Sequence, residues 1–141
     1  MLRAILCPAI LSILCASNVS LSAGDWPMWR YDAGRGDSTP DALPEGMTLR
    51  WTRQLEPSQP AWPPSQEKLQ FDLVPEPVAA GQLIFVPSNV TDTVTAYDTR
   101  TAKEVWRFYA DAPVRFAPVV DSGKVFFASD DGHLYALDAT T

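Results

Sequence analysis

Short apolar runs separated by turn sequences dominate the second half of the chain. Residues 83–86 and 125–128 are four-residue apolar runs rich in β-formers, a pattern typical of strands that are buried on both faces. Residues 133–138 alternate instead, with Tyr135 and Leu137 on one side of the predicted strand. No stretch after residue 23 has a convincing helical period. The pattern therefore predicts an all-β fold.

Turn and proline signals agree with this prediction. Residues 121–124 and 130–133 are tight-turn sequences, because glycine accepts a positive φ and aspartate bonds nearby backbone amides. Residues 104–109 are a further strand candidate, with aromatic side chains on both faces. Six of the 13 prolines lie within 56–77. A proline lacks the N–H that a central strand needs, so this stretch is predicted to be an inserted loop.

The chain also repeats itself. Segment 77–86 matches 118–128 in its proline, apolar pair, glycine turn and apolar run, and 94–101 matches 134–141. The matched glycines are 42 residues apart and the matched aspartates 40. A period of about 40–45 residues in a β sequence favours propeller blades over the helical repeats of similar length.

The repeat sets the predicted domain organisation. We expect an N-terminal segment and loop over 24–48, followed by propeller repeats over 49–141. Within these repeats we expect an irregular first blade with the Pro-rich insertion 56–77, a regular repeat over 77–117 and a truncated one over 118–141.

The best-defined part of the repeat has Ala96, Asp98, Thr101 and Trp106 at fixed spacings. This pattern resembles the signature of pyrroloquinoline quinone (PQQ)-like propeller repeats. Four anchor positions of that signature match, and Ala102 replaces its glycine. The opening 25–30 also looks like the start of exported bacterial proteins of this type. The matching residues are Ala96, Asp98, Thr101 and Trp106, with a second copy at Ala136, Asp138 and Thr141, and Trp51 at the tryptophan position of a preceding, degenerate repeat.

The resemblance implies an all-β fold that is a partial PQQ-like propeller of about two to three four-stranded blades. A closed ring takes about 4–8 blades, so we expect the chain to be the N-terminal portion of something longer. Asp98 and Thr101 have the spacing to fix a turn through backbone amides. The resemblance implies that Trp106 lies between neighbouring blades with its N–H on a carbonyl. We therefore expect these residues to dock one blade on the next and to take no part in catalysis.

Residues 1–23 are predicted to be a signal peptide. Arg3 precedes a mostly apolar stretch that is too short to span a bilayer comfortably, and small residues follow it. An uncleaved anchor is the alternative. Cleavage predicts an exported protein of the periplasm or cell envelope, or a secreted one, with no membrane span. Cys7 and Cys15 are the only cysteines and would leave with the peptide.

Charge and candidate chemistry narrow the function further. The net charge is −6 and the basic residues are scattered, which argues against nucleic acid. His133 is the single histidine of the sequence, so we propose no metal site or catalytic dyad from it. The pair Asp130 and Asp131 fits a turn better than a calcium loop, which needs a longer series of oxygen ligands. Arg115 is predicted to begin an inner strand, where it is a candidate for holding a carboxylate or quinone oxygen in the channel. A rim arginine paired with a surface acid is the alternative.

Two functions remain open. The first is a non-catalytic platform that binds a protein or a small molecule through the propeller. The alternative is a quinoprotein dehydrogenase that uses PQQ and calcium to oxidise an alcohol or sugar, with its active site in blades missing from this chain. No catalytic, cofactor or metal site is evident in the sequence, so PQQ and calcium are expected only in a complete protein.

Overall fold

The computed structural model describes residues 24–66, 68 and 71–141. The predicted signal peptide and both cysteines lie outside this range. The described part contains seven β-strands and no helix, which confirms the all-β prediction. None of the described residues belong to a helix that could cross a membrane.

The seven strands form two antiparallel sheets in which sequential strands are neighbours. The first sheet has the order β1-β2-β3-β4 and the second has the order β5-β6-β7. The two sheets do not close into a ring, so the architecture is that of a partial propeller. The strands are β1 (Val78–Ala80), β2 (Leu83–Ser88), β3 (Thr93–Asp98), β4 (Glu104–Tyr109), β5 (Val119–Asp121), β6 (Lys124–Ala128) and β7 (Leu134–Asp138).

An N-terminal segment is hydrogen-bonded to the first strand of each sheet, β1 and β5. The backbone N–H of Trp26 donates to Ala79 O at 2.7 Å, and Ala79 N–H donates back to Trp26 O at 2.8 Å. Val120 N–H of β5 donates to the oxygen of the next residue, Pro27, at 2.7 Å. Residues 26 and 27 therefore bond to β1 and β5 at once.

The core lies between the two sheets. Phe85, Val94 and Val125 are fully buried, and Phe108 of β4 packs on Tyr135 of β7 with ring centroids 5.1 Å apart. Phe127 stacks on the same tyrosine at 5.1 Å. Apolar burial of this kind, at about 25 cal/mol per Å², is the main force that holds two sheets together.

The burial pattern confirms one sequence prediction and corrects another. Tyr135 and Leu137 face the core in β7 while their neighbours are exposed, as the alternation predicts. The prediction that 125–128 is buried on both faces is wrong. Ala128 is exposed and Phe126 is only half-buried, because no sheet in the described part covers that face of β6.

Candidate functional site

Two tryptophans connect consecutive parts of the chain through their indole N–H groups. Trp106 Nε1 donates to the backbone oxygen of Ala139 in the second sheet at 3.0 Å. Trp51, which precedes the first sheet, donates to the backbone oxygen of Thr99 at 2.9 Å. We call each of these hydrogen bonds an indole bridge. The Trp106 ring also packs on Phe85, with centroids 5.8 Å apart.

The two indole bridges occupy equivalent positions in the repeat. Thr99 and Ala139 each follow directly after a motif aspartate. Each also donates its backbone N–H to the turn between the first two strands of its own sheet, to Gln82 O and Gly123 O respectively, at 2.9 Å. Trp51 therefore has the same kind of contact as Trp106, although the described residues around Trp51 form no strand.

The motif aspartates organise the turns that lead to these bridges. Asp98 Oδ1 accepts hydrogen bonds from Thr101 N at 2.8 Å and from Thr101 Oγ1 at 2.9 Å. The hydroxyl of Thr101, followed by its backbone N–H, lowers the pKa of Asp98. In the second copy Asp138 bonds the backbone N–H and hydroxyl of Thr140, one position before the predicted Thr141. Its pKa is lowered by these two bonds, the backbone one first.

The two motif alanines differ in their surroundings. Ala96 is fully buried and lies opposite Phe85 and Trp106 in the register of the first sheet. Ala136 is exposed and lies opposite Phe126 of β6. The role of the motif residues in docking blades stays a prediction, which Trp106 variants test below.

Ala102 stands in a conformation that favours glycine. Its φ is +55°, a left-handed value that costs a residue with a Cβ about 1–2 kcal/mol. We expect Ala102→Gly to raise the free energy of unfolding by about 0.5–1 kcal/mol, since greater freedom of the unfolded chain offsets part of the relief. Chemical denaturation measures this. The matched control Ala136→Gly, in a strand, is expected to destabilise, and equal losses in both variants would contradict the prediction.

Arg115 does not begin the inner strand but lies four residues before β5. Its Nη1 is 2.5 Å from Asp72 Oδ2, and its Nε is 2.6 Å from Asp130 Oδ2. Nη1 also donates to Gln59 O at 3.0 Å. Burial works against the charge of the guanidinium, but the hydrogen bonds to Asp130 and Asp72 outweigh it and raise the pKa of Arg115. A role in cofactor binding stays a prediction.

This ion network anchors the Pro-rich insertion to the first sheet. The Asp72 side chain is 1% exposed, and its Oδ2 also accepts the backbone N–H of Ala61 at 2.8 Å. Asn89, just after β2, donates to Gln59 O at 3.0 Å and to Asp72 O at 3.2 Å, while its Oδ1 accepts Gln59 N–H at 3.2 Å. Asp72, Asn89 and Gln59 thus join Arg115 in one network.

Asp131, which is outside the network around Arg115, lies in the turn between β6 and β7. Its Oδ2 accepts a hydrogen bond from Tyr135 Oη at 2.7 Å, and its Oδ1 accepts His133 N–H at 2.7 Å. Partial burial opposes ionisation. The bonds from Tyr135, His133, Ser129 and Asp111 outweigh it and lower the pKa of Asp131 to about 2. The carboxylate fixes the turn and the adjacent tyrosine.

This shift predicts a loss of stability in acid. The folded-state pKa of Asp131 is below its ordinary value of 3.8. Its ionised form therefore stabilises the fold fully above that value, and the contribution is lost as the pH falls toward 2. In Asp131→Asn we expect unfolding free energies that fall less between pH 4 and 2 than in the parent, as measured by urea denaturation. An unchanged pH profile would contradict this role.

A family model of PQQ-type repeats, described as outer membrane protein assembly factor BamB, matches residues 27–141. The chain belongs to this family. The match confirms the resemblance drawn from the motif around Asp98 and Trp106. It also covers the segment before β1, in which Trp51 forms its indole bridge.

A curated relative of this PQQ-repeat chain is the 1-butanol dehydrogenase (cytochrome c) of Thauera butanivorans. The two are 32% identical over an alignment 149 positions long, gaps included, which covers 93% of this chain and 20% of the relative. The chain thus spans about one fifth of that protein's length.

The described residues do not offer a set of ligands for calcium. In residues 24–66, 68 and 71–141, no three His, Cys, Asp or Glu side chains are grouped so that they could hold a metal ion. Asp72 and Asp130 are both paired with Arg115. We therefore assign no calcium site to the described residues of this PQQ-repeat chain.

Proposed function

We propose that this PQQ-repeat chain supplies blades of an exported, non-catalytic propeller that serves as a binding or assembly platform for a partner protein. The observation that carries the proposal is the pair of equivalent indole bridges. The motif tryptophans and aspartates bond backbone groups at joints and turns, where they hold a scaffold together. The family description, an outer membrane protein assembly factor, supports a protein as the partner and the cell envelope as the location.

An exposed aromatic pair offers such a partner a contact surface. Phe71 of the insertion and Phe116 before β5 stack with centroids 5.3 Å apart and an angle of 4°, although they are 46% and 57% exposed. Trp29, 43% exposed, lines the same cleft. Contiguous exposed apolar surface often marks an interaction site on a soluble protein.

A photo-crosslinking residue tests the platform. Placed at Phe116 in cells that express the natural polypeptide, it should give one defined crosslinked envelope protein. The same residue at Glu45, which is exposed in the N-terminal loop, should not. No specific product at Phe116, or the same products at both positions, would contradict a partner at this surface.

The second candidate function is a quinoprotein dehydrogenase. The relative named 1-butanol dehydrogenase (cytochrome c) favours it, since it aligns with 93% of the chain. Here we propose that PQQ and calcium, if used, bind in parts of the polypeptide beyond the described residues. The complete natural protein should be titrated with PQQ and Ca²⁺ while dye-linked oxidation of 1-butanol is followed. The platform hypothesis predicts no turnover. PQQ-dependent turnover would contradict that hypothesis and support the dehydrogenase.

A further inference from the structure

A polar cavity of about 210 Å³ lies between residues 53–58 and one face of the first sheet. It exceeds the roughly 150 Å³ that holds a benzene ring, so it has room for a ligand of several heavy atoms. The sheet contributes Ser88, Thr93, Thr95 and Arg107 to the lining, and the covering segment contributes Arg53 and Glu56.

The strand register places the polar side chains of the cavity lining next to one another on one face of the first sheet. Thr93 and Thr95 are two positions apart on β3 and so point to the same side. Ser88 of β2 lies opposite Thr93, and Arg107 of β4 lies opposite Thr95. Directly opposite residues have Cβ atoms about 4.5–5.5 Å apart. Both threonines are at least 97% buried, so these hydroxyls and one guanidinium form a compact polar group beneath the covering segment.

The fold itself does not require this polarity. With the motif aspartates 40 residues apart, the positions of Thr95 and Tyr97 correspond to Tyr135 and Leu137 in the second sheet. At these two positions the second sheet carries an aromatic and an aliphatic side chain, and Tyr135 packs on Phe108 of the neighbouring sheet. In the first sheet the same face carries hydroxyls against a cavity.

Two donors of this polar group have no acceptor assigned to them among the described residues. Arg107 Nε is buried and has no hydrogen-bond partner among the described residues, while its Nη2 is 2.6 Å from Glu104 Oε2. A buried donor left unpaired costs about 1–3 kcal/mol. Ser88 Oγ accepts the backbone N–H groups of Val90 and Thr91, and these bonds do not use its own hydroxyl proton.

Arg53 and Glu56 complete the lining on the covering side. The Arg53 guanidinium lies 4.3 Å above the ring of Tyr97 and donates to Ala102 O at 3.2 Å, which positions a cation at the rim. Glu56 places a carboxylate in the same wall, and it disfavours ligands of high negative charge. A ligand with one carboxylate suits this combination.

We propose that this cavity binds a small carboxylate, whose oxygens accept hydrogen bonds from the guanidinium of Arg107 and from the hydroxyls of Ser88 and Thr95. An arginine suits such a ligand, because its planar guanidinium can donate two parallel hydrogen bonds to one carboxylate. This site is separate from the indole bridges and from the aromatic cleft, so it does not depend on the platform.

Lactate is the probe, and the Nε–H signal of Arg107 in a ¹⁵N NMR spectrum of the full chain is the readout. Arg107→Lys identifies that signal by its loss. We expect lactate to shift it in a saturable way and the neutral analogue lactamide to leave it unmoved. No saturable shift, or an equal shift with lactamide, would overturn the proposal. Tighter binding of inorganic phosphate would overturn the carboxylate assignment.

Matched variants test the contacts. Arg107→Lys and the isosteric Thr95→Val should each weaken lactate binding about tenfold, the expected order for loss of one hydrogen bond to a charged group. Calorimetric titration measures this for both. Arg100→Lys makes the same substitution at an exposed turn residue and should leave the affinity unchanged. Equal weakening in all three variants would show that the effect is not specific to the cavity and would overturn the site.

Discussion

Trp106→Ala is expected to lower the free energy of unfolding by about 3 kcal/mol, at the low end of the range of about 3–5 kcal/mol for truncating a core aromatic. The low end applies because the indole is half-buried. The substitution removes the packing on Phe85 and leaves the Ala139 carbonyl without its indole donor. Chemical denaturation followed by circular dichroism measures the loss.

A second substitution separates the hydrogen bond from the packing. Trp106→Phe keeps an aromatic ring but removes the N–H, so it should cost less, with about 1 kcal/mol attributable to the bond. Leu134→Ala serves as the control, because Leu134 is 76% exposed and should change stability by less than about 0.5 kcal/mol. If Trp106→Ala proved as mild as Leu134→Ala, the docking role of Trp106 would be wrong.

The second large effect is expected at the buried ion pair of the insertion. Arg115→Gln leaves the carboxylate of Asp72 buried without its cation, and breaking such a pair costs about 3–5 kcal/mol. Because Asp72 also accepts the backbone N–H of Ala61, we expect a loss of about 3 kcal/mol. Limited proteolysis should in addition cut within 56–77 faster, since this network holds the insertion on the first sheet.

A double-mutant cycle with Asp72→Asn checks the coupling. The double variant should lose less stability than the two single variants together, because the buried charge is then gone. The exposed pair Arg30–Asp37, whose side chains are 47% and 54% exposed, provides the comparison and should be worth less than about 1 kcal/mol. Additive losses for Arg115 and Asp72 would contradict a coupled pair.

Much of the fold is predictable from the sequence, because strand signals are local. Alternation placed Tyr135 and Leu137 on the core side, and the turn residues marked both ends of β6. The resemblance to PQQ-like repeats then identified Trp51 and Trp106 as equivalent, and the structure gives both the same kind of acceptor. The strand and turn inferences need only periodicity and residue type, whereas the equivalence of the tryptophans needs the family signature.

The network around Arg115 was not predictable in the same way. Its partner Asp72 lies 43 residues away in a Pro-rich segment with no periodic pattern. Asn89 belongs to none of the repeat motifs that the sequence shows, yet it bonds Gln59 and Asp72. The cavity was missed for a related reason: Thr95 and Arg107 become neighbours only through the register of β3 and β4.

The acceptor in each indole bridge is a backbone oxygen, and this has a consequence for how the repeats diverge. The side chains at the two acceptor positions, Thr99 and Ala139, differ in size and polarity without altering the bond. A tryptophan therefore needs no matching mutation in the neighbouring repeat when that repeat drifts in sequence. Units joined in this way can be duplicated, lost or exchanged during evolution with little mutual adaptation at the joint.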